Sequence, residues 1–386
     1  MNNLKFWLWL TLTGHPATMR NITILSHFKT PENVFTAKRK DYEKVEGLRL
    51  NDIDVFCNKS LDEANRVLDY CANNDIRIIN IFDKEFPSRL KFISPAPLVL
   101  YVKGQIPNTS KNISISIVGT RDFSAYGANA AEKIAYELAK CGVVVVSGMA
   151  TGIDSVAHKA TLKAGGKTIA VLGGGVDFIY PYENKLLYEE IIASGAVISE
   201  FPPKTRPLRE NFPIRNRIIS GISQGTVIVE SGERGGSMIT ARLALEQGRD
   251  VFAVPGMIDS SQSVGTNELI KQGAKLVTTG LDVLEEYADI NSYNVVRIEQ
   301  FGDFSALDGT KDTTYNKIAS PSLPYNNLPQ GDTKKVYEVL TYEPIHISDI
   351  SAKANLCASE TATALLMLEM EGLVLPLTGG FYKIKN

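Results

Sequence analysis

The stretch ISISIVGTR at residues 113–121 decides the fold, together with VVVVSG at residues 143–148. Both runs are almost continuously apolar and rich in β-branched residues, and a segment of helical length separates them. Strands that are buried on both faces of a sheet show this continuous pattern, and parallel strands need a crossover between them that is usually helical. The two runs therefore predict a βαβ unit of a parallel sheet.

The same alternation of β-type runs and helical segments continues to about residue 285. The remaining runs are KTIAVLG (167–173), AVISEF (196–201), TVIVES (226–231), DVFAVPG (250–256) and KLVTT (275–279). Seven strands with helical crossovers predict an α/β protein with a doubly wound, Rossmann-like parallel sheet.

The region before this sheet differs from it in pattern. It contains LDEANRVLDYC (61–71), whose apolar residues recur at helical spacing, which predicts a small helical domain. The run from Phe6 to Leu12 fits the first helix of that domain better than a signal peptide, because no clear cleavage site follows it. The short β-type runs IRIINIF (76–82) and PLVLYVKG (97–104) are separated by a segment with prolines 87, 95 and 97, a pattern typical of an extended connector that enters the sheet.

The C-terminal region begins with a segment that is low in apolar residues and rich in Pro, Asn, Asp, Ser and Thr, which predicts a linker. Three helix candidates follow, and two short strands flank Thr378 to Gly380, a pattern typical of a winged helix. The predicted organisation is a helical N-terminal domain at 1–75, an extended Rossmann-like domain at 76–285 with its connector at 76–112 and its sheet core at 113–285, a linker at 286–330 and a winged-helix-like domain at 331–386.

The composition bounds the class of protein. The chain of 386 residues is 44% hydrophobic and 22% charged, which is typical of a folded soluble protein and excludes a disordered or collagen-like chain. Its four cysteines and four histidines do not cluster, so the sequence predicts neither a metal site nor a disulfide framework. No apolar run approaches the roughly 18 residues that a membrane-spanning helix needs. We therefore expect a cytoplasmic protein with no membrane partner.

Small and polar residues follow the predicted strands at their carboxyl ends, where ligands bind in open parallel sheets. Glycine turns let a ligand approach the backbone, and helix N-termini offer free amides to phosphate. Any one such turn is explained as a tight βα connection, but turns after four strands together favour a phosphate-bearing ligand. The residues concerned are Gly119, Thr120 and Arg121, Ser147 and Gly148, Gly173 to Gly175, and Glu230 to Gly232.

The densest basic segment is FPPKTRPLRENFPIRNR (201–217), which holds five Lys or Arg residues against the single acid Glu210. The net charge of the whole chain is −2, so attraction of a polyanion depends on such a local patch. Arginines that contact phosphates, beside aromatic rings such as that of Phe212, are characteristic of single-stranded nucleic-acid sites. The alternative is a solvated charged loop, but the segment lies on the same sheet edge as Arg121, which favours a binding site.

Catalysis and cofactor chemistry have little support. Neither a GxGxxG dinucleotide fingerprint nor a Walker A loop is present, so we expect no cofactor. Asp154 and His158 are four residues apart in a predicted helix, where a hydrogen bond between them explains the pair. Glu200 and Glu230 at strand ends are expected to anchor backbone amides or arginines. The sequence thus predicts no catalytic residue and a protein that is not an enzyme.

Six segments of the chain closely resemble the DNA processing protein A family (DprA, also called Smf). They are SIVGTR (116–121), SGMATGIDSVAH (147–158), AGGKTIAVLGGGVDFIYP (164–181), ISEFPP (198–203), NFPIRNRIISGIS (211–223) and GGSMITARLALEQGRDVFAVPG (235–256). The resemblance implies an extended Rossmann domain that forms a homodimer, binds single-stranded DNA and loads the recombinase RecA onto it in natural transformation. It also implies that Arg121 and the segment 209–217 line the DNA pocket, with Phe212 stacking on a base.

The motifs and the strand-end turns together define the expected single-stranded-DNA site. Its predicted residues are Gly119, Thr120, Arg121, Ser147, Gly148, Gly173, Gly174, Gly175, Arg209, Phe212, Arg215, Asn216, Arg217, Gly236 and Ser237.

Two other functions remain open at the level of sequence. The first is a nucleoside-monophosphate phosphoribohydrolase like the cytokinin-activating LOG proteins, which show PGGxGTxxE, but the comparable stretch here, RGGSMIT (234–240), lacks the catalytic Glu. The second is a winged-helix regulator of duplex DNA. The third helix candidate of the winged-helix-like domain, 359–371, contains three Glu and no Lys or Arg. Because contact with phosphates needs cations, this helix favours a role in partner binding or packing over duplex recognition.

Overall fold

A computed structural model describes residues 3–14, 17–290, 332–341, 345–370, 373–377 and 381–384. The chain divides into two compact units, Met1–Phe304 and Ser305–Asn386. The described residues of the first unit form a nine-stranded sheet in the order β1-β2-β6-β5-β4-β3-β7-β8-β9. The strands are β1 Arg77–Asn80, β2 Val99–Gly104, β3 Ser114–Val118, β4 Val144–Ser147, β5 Thr168–Val171, β6 Ala196–Ser199, β7 Gly225–Ile228, β8 Asp250–Ala253 and β9 Lys275–Leu276.

The seven predicted strands of the core are confirmed as β3 to β9, and their pairings with one another are parallel. The predicted connector differs from the expectation, because it contributes β1 and β2, which pair antiparallel with each other and extend the sheet beyond β6. Strand β2 begins with four buried residues, Val99 to Val102. Burial of these apolar side chains in the core stabilises the segment as a strand between β1 and β6.

Helices cover both faces of the sheet, as the doubly wound prediction requires. On one face α7, α8 and α13 pack on β3, β4 and β7 through apolar residues such as Ile115, Ile134 and Ala157. On the other face α10, α11 and α12 pack through Ile219, Ala244 and others. The crossover helices are α7 Ala125–Lys140, α8 Ile153–Lys163, α9 Lys185–Ser194, α10 Asn211–Ile222, α11 Gly236–Glu246, α12 Val264–Lys271 and α13 Gly280–Leu284.

The N-terminal region is helical, as predicted, and shares a hydrophobic core with the sheet. Trp7 and Leu10 of the first helix lie in one cluster of buried residues with Tyr101 of β2 and Ile191 of α9. The run from Phe6 to Leu12 belongs to that first helix. The helices are α1 Leu4–Leu12, α2 Met19–Phe28, α3 Pro31–Thr36, α4 Arg39–Tyr42, α5 Leu50–Cys57 and α6 Asp62–Asn73.

The second unit contains the predicted three helices and short strands. Its described strands pair in the order β10-β12-β11, and Val336, Ile350, Leu365 and Leu368 form its core. Its elements are α14 Asp332–Val339, β10 Ile345–His346, α15 Ile347–Ala354, α16 Ala358–Met370, β11 Val374–Leu377 and β12 Phe381–Ile384.

The predicted linker begins within a 3-10 helix, Glu285–Ile290, and from residue 291 onwards it lies outside the described residues, as do the predicted turn residues Thr378 to Gly380. Of the helices in the described ranges, none is both long and apolar enough to cross a membrane.

The strand order places a crevice at one edge of the sheet. Strand β3 has β4 on one side and β7 on the other, so the chain runs outward from β3 in one direction through β4, β5 and β6 and in the other through β7, β8 and β9. The loops after β3 and β7 therefore diverge at their carboxyl ends, where ligands bind in doubly wound sheets.

Candidate nucleic-acid interface

Among the described residues, two adjoining cavities open at this carboxyl edge of the sheet. The larger has a volume of about 390 Å³ and lies between the loops after β3 and β7, and the smaller has about 50 Å³. Arg121, Ala150 and Phe212 line both cavities. The further lining residues of the larger cavity include Gly119, Thr120, Asp122, Asp154, Arg215, Asn216, Gly236, Ser237 and Thr240, and those of the smaller include Gly148, Thr151, Gly173, Phe178, Tyr180 and Pro207.

Phe212 lies where the two cavities meet, in the first turn of α10. The guanidinium carbons of Arg121 and Arg215 lie 5.4 and 5.7 Å from the centroid of its ring. The ring of Tyr180 lies 6.0 Å away between centroids, tilted by 42°. A Cβ at position 173 would come within 3.1 Å of the Phe212 ring, so Gly173 leaves room for the aromatic group. The result is a cluster of two rings and two cations at the end of the sheet.

The two arginines of this cluster differ in burial. Arg121 is exposed in the turn after β3, which leaves its guanidinium available to an anion. Arg215 is only 4% exposed, and its guanidinium donates hydrogen bonds to the carbonyls of Gly148, at 2.8 Å, and Val171. Burial lowers the pKa of Arg215 to about 10, against the opposing effect of Asp154. Arg215 thus stabilises the cavity wall by linking the ends of β4 and β5 through these two carbonyls.

Asp154 neutralises part of this buried charge and orders the turn after β4. Its carboxylate accepts hydrogen bonds from the amides of Gly148, at 3.2 Å, and Ala150, at 3.4 Å. Burial raises the pKa of Asp154, and the charge of Arg215 and the hydrogen bonds oppose that rise. The carboxylate is therefore a structural partner of the turn and of Arg215.

The prediction of a hydrogen bond between Asp154 and His158 is wrong. His158 Nδ1 lies 2.6 Å from the hydroxyl oxygen of Thr168. That hydroxyl already donates its hydrogen to the carbonyl of Val145 at 2.7 Å, so His158 Nδ1 carries the proton and donates it. Burial first, and then the nearby charge of Arg215, lower the pKa of His158 to about 3, which keeps the ring neutral.

The interpretation of Glu200 and Glu230 as anchors is confirmed. Glu200 forms an ion pair with Arg217, and both side chains are almost completely buried. Burial raises the pKa of Glu200, and Arg217 opposes the rise. Glu230 accepts hydrogen bonds from the amide and the hydroxyl of Ser124 just before α7.

Several predicted site residues do not line either cavity in the described structure. Arg217 points into its ion pair and also donates to the carbonyl of Pro95 at 2.7 Å. The hydroxyl of Ser147 donates to the carbonyl of Ile117. Gly174 and Gly175 pack closely against the backbone of residues 202–207, where a side chain would collide. Arg209 is exposed on the loop before α10. The predicted site residues that do line a cavity are Gly119, Thr120, Arg121, Gly148, Gly173, Phe212, Arg215, Asn216, Gly236 and Ser237.

The N-terminus of α11 faces the larger cavity. The helix begins at Gly236 after Gly235, which has no side chain to cap it, and a Cβ at Gly236 would meet no atom within 4 Å. The first amides of a helix have no partner within the helix and favour anions. Together with Arg121, this end of α11 makes the larger cavity suited to a phosphate group.

Phe178 and Tyr180 belong to the site but were absent from the predicted site residues. Both line the smaller cavity, and the two residues are 39% and 47% exposed. The signal was available in the sequence, because both aromatic residues lie within five residues after the glycines 173–175 at the end of a predicted strand. They add apolar and stacking surface beside Phe212.

Residues 77–288 match the family model described as DNA recombination-mediator protein A, and residues 321–380 match a model of the DprA winged helix domain. The first match covers more than half of the chain. The chain belongs to the DprA/Smf family. Among curated relatives, DNA processing protein DprA of Bacillus subtilis is 42% identical over 65% of this chain and 83% of its own length. Protein Smf of Synechocystis is 32% identical over 96% of both chains.

Two solved structures of DprA proteins are similar to this member of the family. The structure from Streptococcus pneumoniae is 36% identical with a TM-score of 0.64, and the match covers 74% of this chain and 99% of that one. The structure from Helicobacter pylori, described for its unique single-stranded DNA binding mode, is 29% identical with a TM-score of 0.51 over 56% of this chain and 96% of that one. The DprA/Smf sheet and its winged helix thus correspond to the predicted fold class.

Proposed function

We propose that this DprA/Smf protein binds single-stranded DNA at the carboxyl edge of its sheet. The observation that carries the proposal is the cluster of Phe212, Tyr180, Arg121 and Arg215 beside the α11 N-terminus. Aromatic rings stack on unpaired bases of any sequence, while cations and helix amides hold the phosphates. The single-stranded DNA bound by the Helicobacter pylori relative agrees with this ligand class.

Apart from the buried Arg215 and Asp154, the residues proposed to contact DNA are those of the two cavities, with Arg121 and Phe212 in the leading roles. Arg121 supplies an exposed cation for phosphate, and Phe212 supplies the stacking surface. Arg215 acts indirectly by holding Phe212 and the turn at Gly148. Arg209, although outside the cavities, is exposed on the adjoining loop and is retained as a phosphate contact.

Beyond binding, the proposed role is that of a recombination mediator. Family membership supports loading of RecA onto single-stranded DNA during natural transformation, by a cytoplasmic homodimer with no enzymatic activity. The acids that could act as catalysts support the last point, because Asp154, Glu200 and Glu230 are all engaged with structural partners. The helical N-terminal region, the Rossmann-like domain, the linker and the winged-helix-like domain are proposed as its four parts.

The test of binding is fluorescence anisotropy with a labelled single strand and its duplex at two salt concentrations. We expect preference for the single strand. With about three to five phosphates neutralised, affinity falls roughly tens- to a hundredfold between 50 and 200 mM salt. Arg121→Ala and Phe212→Ala should each weaken binding, whereas Lys167→Ala, at the opposite edge of the sheet, should not. Equal affinity for duplex, or an unaffected Arg121→Ala, would contradict the proposed site.

The finer role needs two further measurements. Light scattering at micromolar concentration should give the mass of a dimer, and a monomer would contradict the homodimer. Wild-type protein should accelerate assembly of RecA on a single strand coated with single-strand-binding protein, and Arg121→Ala should not. Release of ribose 5-phosphate from nucleoside monophosphates by the wild type would contradict the non-enzymatic role.

A further inference from the structure

Lys204 occupies an unusual backbone conformation in the turn that follows β6. Its φ is +66°, in the left-handed region, which a residue with a Cβ adopts at an energetic cost and glycine adopts freely. The turn runs from Pro202 to Thr205, whose amide donates to the carbonyl of Pro202 at 3.2 Å. A lysine persists in such a conformation only when its surroundings hold it there, and conformations of this kind cluster at functional sites.

Two side chains from other parts of the fold hold Lys204. The carboxylate of Asp177 accepts its backbone amide at 2.9 and 3.1 Å. The hydroxyl of Tyr70, on α6 of the N-terminal helices, donates to the same carboxylate at 2.9 Å. The ammonium of Lys204 lies 4.1 Å from the centroid of the Tyr70 ring, which is a cation–π contact. Tyr70 and Asp177 therefore fix both the backbone and the side chain of Lys204.

The ammonium held in this way remains available to an anion. Lys204 is exposed, and in the described parts of the chain its ammonium forms no ion pair with a carboxylate. The nearby carboxylate of Asp177 accepts hydrogen bonds from the Lys204 amide and the Tyr70 hydroxyl instead of pairing with the ammonium. A lysine side chain that is already positioned loses less conformational entropy when it binds a ligand.

The position of Lys204 is next to the proposed DNA site but outside its cavities. Lys204 precedes Pro207 by three residues, a distance of at most about 11 Å along an extended chain, and Asp177 is adjacent to Phe178. Pro207 and Phe178 both line the smaller cavity. Arg206, which lies between Lys204 and Pro207 in the chain, is also exposed.

We propose that Lys204 is a further phosphate contact for single-stranded DNA, beyond the cavities and positioned by Asp177 and by Tyr70 of the N-terminal helices. The inference rests on the proposed function, since the ligand is the strand bound at Phe212. It gives the N-terminal helices a part in DNA binding, because without the Tyr70 ring the lysine loses its support. The contact is made only by a strand long enough to extend past the cavity.

The test compares two labelled oligothymidylates, of about 5 and about 25 nucleotides, a range that brackets common single-strand site sizes. Lys204→Gln should weaken binding of the longer strand several-fold and reduce the slope of log affinity against log salt by about 0.7. Binding of the shorter strand should be unchanged. Lys167→Gln, an exposed lysine before β5 at the opposite edge, is the matched control and should behave as wild type with both strands.

A second variant separates charge from folding. Lys204→Gly removes the ammonium and also relieves the left-handed conformation, so its thermal midpoint should equal or exceed that of the wild type while binding of the longer strand falls as in Lys204→Gln. If Lys204→Gly weakens binding and Lys204→Gln does not, backbone order and not charge is responsible, and the proposed contact is overturned.

The support from Tyr70 has its own pair of variants. Tyr70→Leu removes the ring and the hydroxyl, and it should weaken binding of the longer strand nearly as much as Lys204→Gln. Tyr70→Phe keeps the ring and should retain most of the affinity. If both variants bind like the wild type, positioning by Tyr70 is overturned.

Failure of the inference differs from failure of the proposed function. If Arg121→Ala weakens binding of both strands while Lys204→Gln matches the wild type on both, the site stands and the further contact is overturned. If the wild type binds neither strand, or if Arg121→Ala has no effect, the proposed function fails first and the further contact fails with it.

Discussion

Arg217 and Glu200 show how a charged pair at single residues determines stability in this fold. Both side chains are buried and paired with each other, so removal of one partner leaves an uncompensated charge in the core. We expect Arg217→Ala to lower the free energy of unfolding by about 3–5 kcal/mol, measured by urea denaturation. The double variant with leucine at both positions should recover much of that loss, because it buries no charge. An Arg217→Ala protein of unchanged stability but weak DNA binding would contradict this assignment.

His158 makes stability depend on pH in a defined direction. Its pKa is about 3 in the folded protein against 6.5 for a free side chain, so the unfolded chain binds a proton that the folded chain does not. The stabilising effect is complete above pH 6.5 and is lost as the pH falls towards 3. From pH 7 to pH 5 this one group should lower the free energy of unfolding by about 2 kcal/mol.

The measurement for His158 is urea unfolding at those two pH values for the wild type and for His158→Leu, which cannot titrate at this position. The decrease between pH 7 and pH 5 should be about 2 kcal/mol smaller in the variant. Equal decreases in both proteins would mean that His158 takes up a proton in the folded state without penalty. Because the comparison is a difference, the other histidines contribute equally to both proteins.

At the scale of single residues, the sequence does not show which arginines are exposed and which are buried. Arg121, Arg215 and Arg217 lie within motifs of the same family and have the same charge, yet of these three only Arg121 is exposed. The partners that bury the other two are Val171, Gly148, Glu200 and Pro95, which are distant in sequence. Spacing along α10 cannot show which side chains turn inward, because that depends on tertiary contacts. The position of Phe212 at the site was predictable from its place among the cations after a strand.

At the scale of elements, the strand-to-helix turns differ in what their glycines do. A Cβ at Gly148 would overlap the guanidinium of Arg215, whereas a Cβ at Gly236 would meet open space at the start of α11. We expect Gly148→Ala to lower the free energy of unfolding by about 1–3 kcal/mol, since the guanidinium must move from its carbonyl partners. Gly236→Ala should change it by less than about 0.5 kcal/mol.

Thermal and urea unfolding of these two variants provide the comparison, with single-strand affinity as a second measurement. Gly148→Ala should also weaken binding, because Arg215 supports Phe212. If the two alanine variants have the same stability, the turn after β4 does not depend on the close approach of Arg215, and the stabilising role assigned to that residue is incorrect.

Elements of the sheet core were predictable because continuous apolar runs are a strong local signal. The runs that form β1 and β2 are short and separated from each other by prolines, so their pattern alone is compatible with a connector. Their identity as strands depends on pairing of Tyr101 with Ser199 across to β6, a contact between residues that are far apart in the chain. The order of strands is likewise a property of tertiary packing, and only the parallel crossover rule limits it.

At the scale of the whole molecule, the distribution of charge matters more than its sum. The chain carries a net charge of −2, so it does not attract DNA as a whole. The exposed cations Arg121, Lys204, Arg206 and Arg209 are concentrated at one edge of the sheet, and the buried arginines 215 and 217 are held by protein partners. The proposed binding edge is therefore a local feature, and the phosphate contacts proposed there predict release from DNA at high salt.

The first unit should also unfold as one body, because its N-terminal helices and its sheet share a core. The two tryptophans of the chain, Trp7 and Trp9, both lie buried in α1 within the cluster that includes Tyr101 and Ile191. Tryptophan fluorescence therefore reports on the N-terminal helices, and the sheet and its crossover helices dominate the circular dichroism signal.

We expect the main urea transition to have the same midpoint by both methods, since neither part can unfold without exposing the apolar surface of the other. Leu10→Ala should move both midpoints together. A fluorescence transition at clearly lower urea would instead mean that the N-terminal helices open separately, and the support that Tyr70 gives to Lys204 would then be lost before the sheet unfolds.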